Sequence, residues 1–109
     1  MKKLYRIRKN EEFNRIIAEK HSIASACFVV YYSNKAEEHS RAGISVSKKL
    51  GDAVDRNKIK RQVREMVRTI IDFETCPKDI IVIVRTSYLK KDYQNNLLDL
   101  EKLIKKAII

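Results

Sequence analysis

Hydrophobic positions recur along the chain with two periods. From Ala53 onward, Ile59, Val63, Met66, Val67 and Ile70 fall within one arc of roughly 100° at about 100° per residue, which predicts an amphipathic helix over about 53–73. Gly51 breaks the preceding chain, Asp52 is placed as its cap, and Asp55 sets a further acid against the positive end of the helix dipole. A closing helix is predicted in YQNNLLDLEKLIKKAI, where Tyr93, Leu97, Leu100, Ile104 and Ile108 keep the same rhythm. A shorter helix is predicted over about 11–20, with Asn10 as cap, Glu11 and Glu12 in the first turn, and Phe13, Ile16 and Ile17 at helical spacing. Elsewhere the pattern is that of strands. CFVVYYS and RAGISVS are β-branched and aromatic, and the polar stretch NKAEEH between them suggests an antiparallel hairpin. DIIVIVRT is almost continuously apolar, as expected of a strand buried on both faces. The layout predicts one sheet with helices packed on it.

Composition narrows the class. A chain of 109 residues, 44% hydrophobic and without a Gly/Ser/Pro-rich linker, fits a single domain over 1–109. Met1-Lys2-Lys3 leads into mixed polar sequence rather than the apolar core of a secretory signal, and no stretch approaches the ~20 apolar residues of a membrane span. A cytoplasmic protein with no membrane partner is expected. Cys27 and Cys76 stand at no metal-ligand spacing and read as ordinary reduced cysteines.

Charge changes the picture once it is located. Of the net +10, residues 1–10 carry +5 and residues 48–68 another +5. Such concentration suits a polyanion, with nucleic acid ahead of an anionic membrane surface. On the central helix Lys60, Arg61, Arg64 and Arg68, with Asn57 among them, cover an arc about 100° wide beside the apolar stripe. Like charges at i,i+4, such as Arg56 with Lys60, cost a few tenths of a kcal/mol each, so folding alone does not select this pattern. Arginine forks match phosphate oxygens, and Asn57 can donate and accept beside them. Lys48 and Lys49 extend the patch.

Catalytic constellations are missing. SVSK, Ser45 to Lys48, has the S-x-x-K spacing of some acyl-transfer enzymes, but its serine falls on a predicted strand instead of opening a helix. His21 and His39 are isolated, and no carboxylate pair stands out for acid-base or metal chemistry.

The segment Ile44 to Glu65, ISVSKKLGDAVDRNKIKRQVRE, resembles the signature of the bacterial ribonuclease P protein subunit. Its RNR motif opens with Arg-Asn and continues into Lys-Arg and a further Arg, here Arg56-Asn57, Lys60-Arg61 and Arg64. RIRKNEEFNRII, FVVYY and DIIVIVR resemble the family's basic N-terminal segment with its first helix, its first long strand, and the strand after the central helix. Lys58 stands where the motif has its second arginine, and Ile17 where an aromatic is often found.

The resemblance implies an α+β, ribosomal-protein-like sandwich in α-β-β-β-α-β-α order with a left-handed crossover, its additional short strand near Ser22 to Ala26. It implies that an RNA subunit performs the Mg²⁺-dependent removal of the 5′ leader of precursor tRNA, the protein supplying neither catalytic residue nor metal site. Lys48, Lys49, Arg56, Asn57, Lys60, Arg61, Arg64 and Arg68 would then bind the ribonuclease P RNA and help secure metal ions near its centre. Phe13, Ile17, Val29 and Tyr31 would line a cleft between the first helix and the sheet for the single-stranded leader. Strand alternation agrees with the last assignment, since of the adjacent Tyr31 and Tyr32 only Tyr31 shares a face with Val29. Aromatic stacking beside cations is a sequence-tolerant way to hold single-stranded RNA. A non-catalytic ribosomal or other RNA-binding protein is the alternative that composition leaves open.

Overall fold

The computed structural model describes residues 1–109. Its helices are α1 (Asn10–Ala18), α2 (Ala53–Ile70) and α3 (Tyr93–Ile108), and its strands β1 (Ser22–Ala24), β2 (Phe28–Asn34), β3 (Ala42–Val46) and β4 (Lys78–Val84). Short 3-10 turns at Lys3–Tyr5, Lys48–Leu50 and Thr86–Lys90 join them. The expected α-β-β-β-α-β-α order is present, with the short strand at its anticipated place.

The sheet runs β1-β2-β4-β3, with β1–β2 and β2–β4 antiparallel and β3–β4 parallel. The expected hairpin between β2 and β3 does not form, because β4 lies between them. Two causes combine. Ile80, Ile81 and Val82 are all completely buried, so β4 needs cover on both faces and takes a central place. The polar stretch after β2 does not turn straight back but is drawn to the start of β4. There the fully buried Asp79 accepts from the Arg41 N–H (2.9 Å) and the Ala36 N–H (3.4 Å).

On one face of the sheet Ile59, Val63, Met66 and Val67 of α2, with Leu100, Leu103, Ile104 and Ala107 of α3, close over Phe28, Val30, Ile80, Val82 and Val84. The α3 stripe is centred further round than its sequence suggests. Asn96 is buried in it, donating to the Tyr88 (3.0 Å) and Lys91 (3.3 Å) carbonyls. The opposite face carries only α1.

Helix ends follow local chemistry. Asp52 caps α2 by accepting from the Asp55 N–H (3.0 Å), as expected. Gly51 before it has φ 133°, a conformation that disfavours any side chain. The helix stops at Ile70 rather than near 73, because Ile71 turns extended and both Ile71 and Phe73 leave the helix to enter the core. Asn10 does not cap α1: it lies within the first turn, and Lys9 holds the cap position without a side-chain bond.

Candidate nucleic-acid interface

β3 is an edge strand, with α1 over one face of the sheet and α2 over the other. Ile7 N–H donates to the Ala42 carbonyl (2.9 Å) and covers the start of that edge. The remainder opens into two hollows that share Phe13 and Ile44. One, of about 380 Å³, is lined by Asn10, Phe13, Asn14 and Ile17 of α1, Ile44, Ser45 and Val46 of β3, and Lys60 of α2. The other, of about 240 Å³, brings Arg6 and Arg8 together with Phe13, Gly43 and Arg64.

Phe13 can lie there because of Gly43. A Cβ at residue 43 would stand 2.4 Å from Phe13 Cζ, so the ring uses space that no other residue leaves free. Ile16, one turn on, is fully buried and anchors α1 through Ile7 and Ile81; Phe13, Ile17, Tyr31 and Ile83 pack around that cluster, half-covered. Tyr31 pairs with Ile81 and Val29 with Ile83, which puts both on the α1 face. Tyr32 packs into the core on the other side, as alternation requires. Of the four expected cleft residues, Phe13 and Ile17 line a hollow, whereas Tyr31 and Val29 continue the same surface along β2.

The basic residues do not form one uniform patch. Lys48 and Lys49 are exposed on the turn before α2, and Asn57 and Arg61 are exposed on the helix. Arg56, Lys60 and Arg64 are half-buried, the last two reaching the hollows. Burial first, and then the neighbouring Arg6, lowers the pKa of Arg64 below the ordinary arginine value. Arg6 itself has a buried Nε without a hydrogen-bond partner, although its terminal nitrogen donates to the Met1 carbonyl (3.1 Å). These cations crowd at a cost, which an anion would relieve. Arg68 differs: it is held by Glu65 in an exposed i,i+3 pair, its Nε donating to the carboxylate at 3.2 Å. Lys58 faces elsewhere, into a third hollow with Gln62, Tyr88 and Lys91.

Arg6, Arg8 and Gly43 line one hollow and Ser45 the other, positions that no local sequence pattern marks as part of a groove. The N-terminal charge was visible, but nothing local tells that residue 6 meets residue 64. No group of three or more His, Cys, Asp or Glu side chains could hold a metal ion. The residues present therefore do not assemble a metal site.

The ribonuclease P family model matches residues 1–108. The chain belongs to the ribonuclease P protein family. It is 46% identical over 100 residues to the ribonuclease P protein component of Mycoplasma mycoides, covering 91% of this chain and 92% of that one. To the Staphylococcus aureus component it is 55% identical over 86 residues, 78% of this chain and 74% of that one. Among solved structures, the S. aureus RNase P protein at 2.0 Å superposes with TM-score 0.83 at 44% identity, covering 96% of this chain and 98% of that one. The Thermotoga maritima protein does so with TM-score 0.79 at 33% identity, covering 93% and 96%. Family members are protein subunits of the ribonucleoprotein that processes tRNA 5′ ends, an endoribonuclease with an RNA subunit as partner. Ribonucleases of this kind use divalent metal ions. No helix here is long and apolar enough to cross a membrane.

Proposed function

We propose that the chain, acting as one RNA-binding domain in the cytoplasm, grips the ribonuclease P RNA through the basic side of α2 and the 5′ leader of precursor tRNA through the groove beside α1. The observation that supports this most directly is the meeting of the two surfaces. Lys60 and Arg64 belong to the basic side of α2, yet each lines a hollow with Phe13. A strand running along β3 would find apolar and aromatic surface for its bases and cations for its phosphates within one groove. Lys48, Lys49, Arg56, Asn57 and Arg61 continue the contact toward the RNA subunit, as does Arg68 if it leaves Glu65. Phe13, Ile17, Tyr31 and Val29 form the leader side. The metal is Mg²⁺, held mainly by the RNA subunit, since this chain gathers no ligand set; its cations serve by screening phosphate repulsion around the ion.

The experiment is to purify the protein with its bound RNA and sequence that RNA. One abundant structured RNA is expected, and it should cleave precursor tRNA at lower Mg²⁺ with the protein than without. Ribosomal RNA alone would favour the ribosomal-protein alternative. Cleavage by protein rigorously freed of RNA would overturn the assignment of catalysis to the RNA.

A further inference from the structure

Among the 24 Lys and Arg residues, only Arg41 is buried. It lies just before β3 and spans two acids. Its terminal nitrogen pairs with the Glu12 carboxylate on α1 and stands 3.4 Å from Asp79 Oδ2 on β4, while its backbone N–H donates to Asp79 Oδ1 at 2.9 Å. Asp79 is wholly inaccessible to solvent and Glu12 is partly covered. Both side-chain contacts use the same terminal nitrogen, and the buried Nε has no hydrogen-bond partner. Buried ion pairs add little stability over an apolar packing of similar volume, but removing one partner strands the other charge, so the guanidinium is held between its two acids.

That geometry matters because of what else holds α1. The helix has nine residues, too few to persist alone, and Ile16 is its one buried side chain. One fully buried anchor resists lifting of the helix and leaves its rotation to the half-covered contacts around it. Glu12 stands four residues before Ile16 on the same side of the helix. Pinning both fixes the rotation, and with it the neighbouring column of Phe13 and Ile17, which lines the groove. Bonding to Arg41 also leaves the Glu12 carboxylate titrating below its ordinary range, so the pair is charged at neutral pH.

We infer that Arg41, oriented by Asp79, is a positioning residue that sets the rotation of α1 through Glu12 and thereby the preference of the holoenzyme for tRNA that carries a leader. The inference rests on the leader-groove reading and extends it to residues that need not touch RNA.

The test uses holoenzyme reconstituted with its RNA subunit and compares affinity for precursor tRNA with affinity for mature tRNA. Glu12→Gln removes the charge from the less buried partner, and Arg41→Lys keeps the charge but replaces the planar guanidinium by a compact ammonium. Each is expected to lower the precursor-to-mature affinity ratio by about two- to thirtyfold while binding of the RNA subunit is unchanged. Glu12→Asp, which restores the carboxylate, should recover part of the ratio. Phe13→Ala is the control for the groove itself. If Phe13→Ala lowers the ratio while Glu12→Gln and Arg41→Lys leave it intact, the positioning role is overturned and the groove stands. If Phe13→Ala also leaves it intact, the groove reading falls and the inference with it. Should Glu12→Gln weaken precursor, mature tRNA and RNA subunit alike, in step with loss of folded protein, Arg41 is a stability residue only.

Discussion

On one face of the sheet α2 and α3 close over a core of 21 buried residues, whereas α1 on the other face gathers three, Ile7, Ile16 and Ile81, and leaves Phe13, Ile17, Tyr31 and Ile83 half-covered. The first arrangement resembles a finished interior and the second an unfinished one. Apolar area left at a groove is area that a partner can cover, and the short helix beside it rests on one buried side chain and one ion pair rather than on a packed core. On the proposed reading, stability and leader recognition fall on opposite sides of β4, which is apolar on both.

The sharpest way to break this division is a cavity under the helical face. Ile104→Ala, at a fully buried position of α3, should lower stability by about 2–5 kcal/mol in denaturant unfolding. Below the new midpoint, preference for leader-bearing tRNA should be unchanged. Loss of that preference in fully folded protein would show that the two faces are coupled.

Alkali offers a second probe of the same face. Tyr88 is 5% exposed, its hydroxyl donates to Gln62 Oε1 (2.8 Å), and burial first, then Tyr93, pushes its pKa up to about 12. The folded state therefore keeps the proton where the unfolded chain, near 10, has lost it. Stability is unaffected by this group below pH about 10 and falls as pH rises toward about 12, by about 2–3 kcal/mol in all. Tyr88→Phe should remove that part of the alkaline decline. An unchanged pH profile in Tyr88→Phe would assign the decline to other groups.

On the groove side the expected losses are of binding. Tyr31→Ala should cost about 1–3 kcal/mol of affinity for precursor tRNA if a leader base stacks there, and almost nothing for mature tRNA. Its unfolding midpoint should move far less than that of Ile104→Ala, since Tyr31 is only half-buried. Equal weakening toward both RNAs would remove Tyr31 from the leader surface.

How far the sequence foretold this division depends on the range of the signals. α3 begins and ends where its apolar rhythm does, and the capped start of α2 is written in Gly51, Asp52 and Asp55. The pairing of β2 with β4 was hidden, because Asp79 organises it across 38 and 43 residues of sequence. A strand as apolar as IIVIV is nonetheless a signal for the centre of the sheet, and its place between β2 and β3 leaves β3 at the edge. Within the site, the periodicity of α2 shows which cations share a side, but it cannot tell that Arg68 has a carboxylate partner or that Arg6 reaches Arg64.

That last distinction separates two arginines on one helix. Arg64 is half-buried, crowded by Arg6 and without a carboxylate partner, whereas Arg68 is exposed and already bonded to Glu65. A phosphate gains the full interaction with Arg64 but must compete with a carboxylate for Arg68. Arg64→Ala should therefore flatten the log–log salt dependence of RNA binding by roughly 0.7–0.9 for each phosphate it no longer neutralises, and Arg68→Ala by less. Glu65→Gln discriminates further. It should leave the unfolding midpoint nearly unchanged, as for any exposed pair, while releasing Arg68 to the RNA and steepening the salt slope. Combining Glu65→Gln with Arg68→Ala in the same chain should abolish that gain. If Arg68→Ala equals Arg64→Ala in slope, and Glu65→Gln adds nothing, Glu65 does not withhold its partner and the basic side of α2 acts as one uniform field.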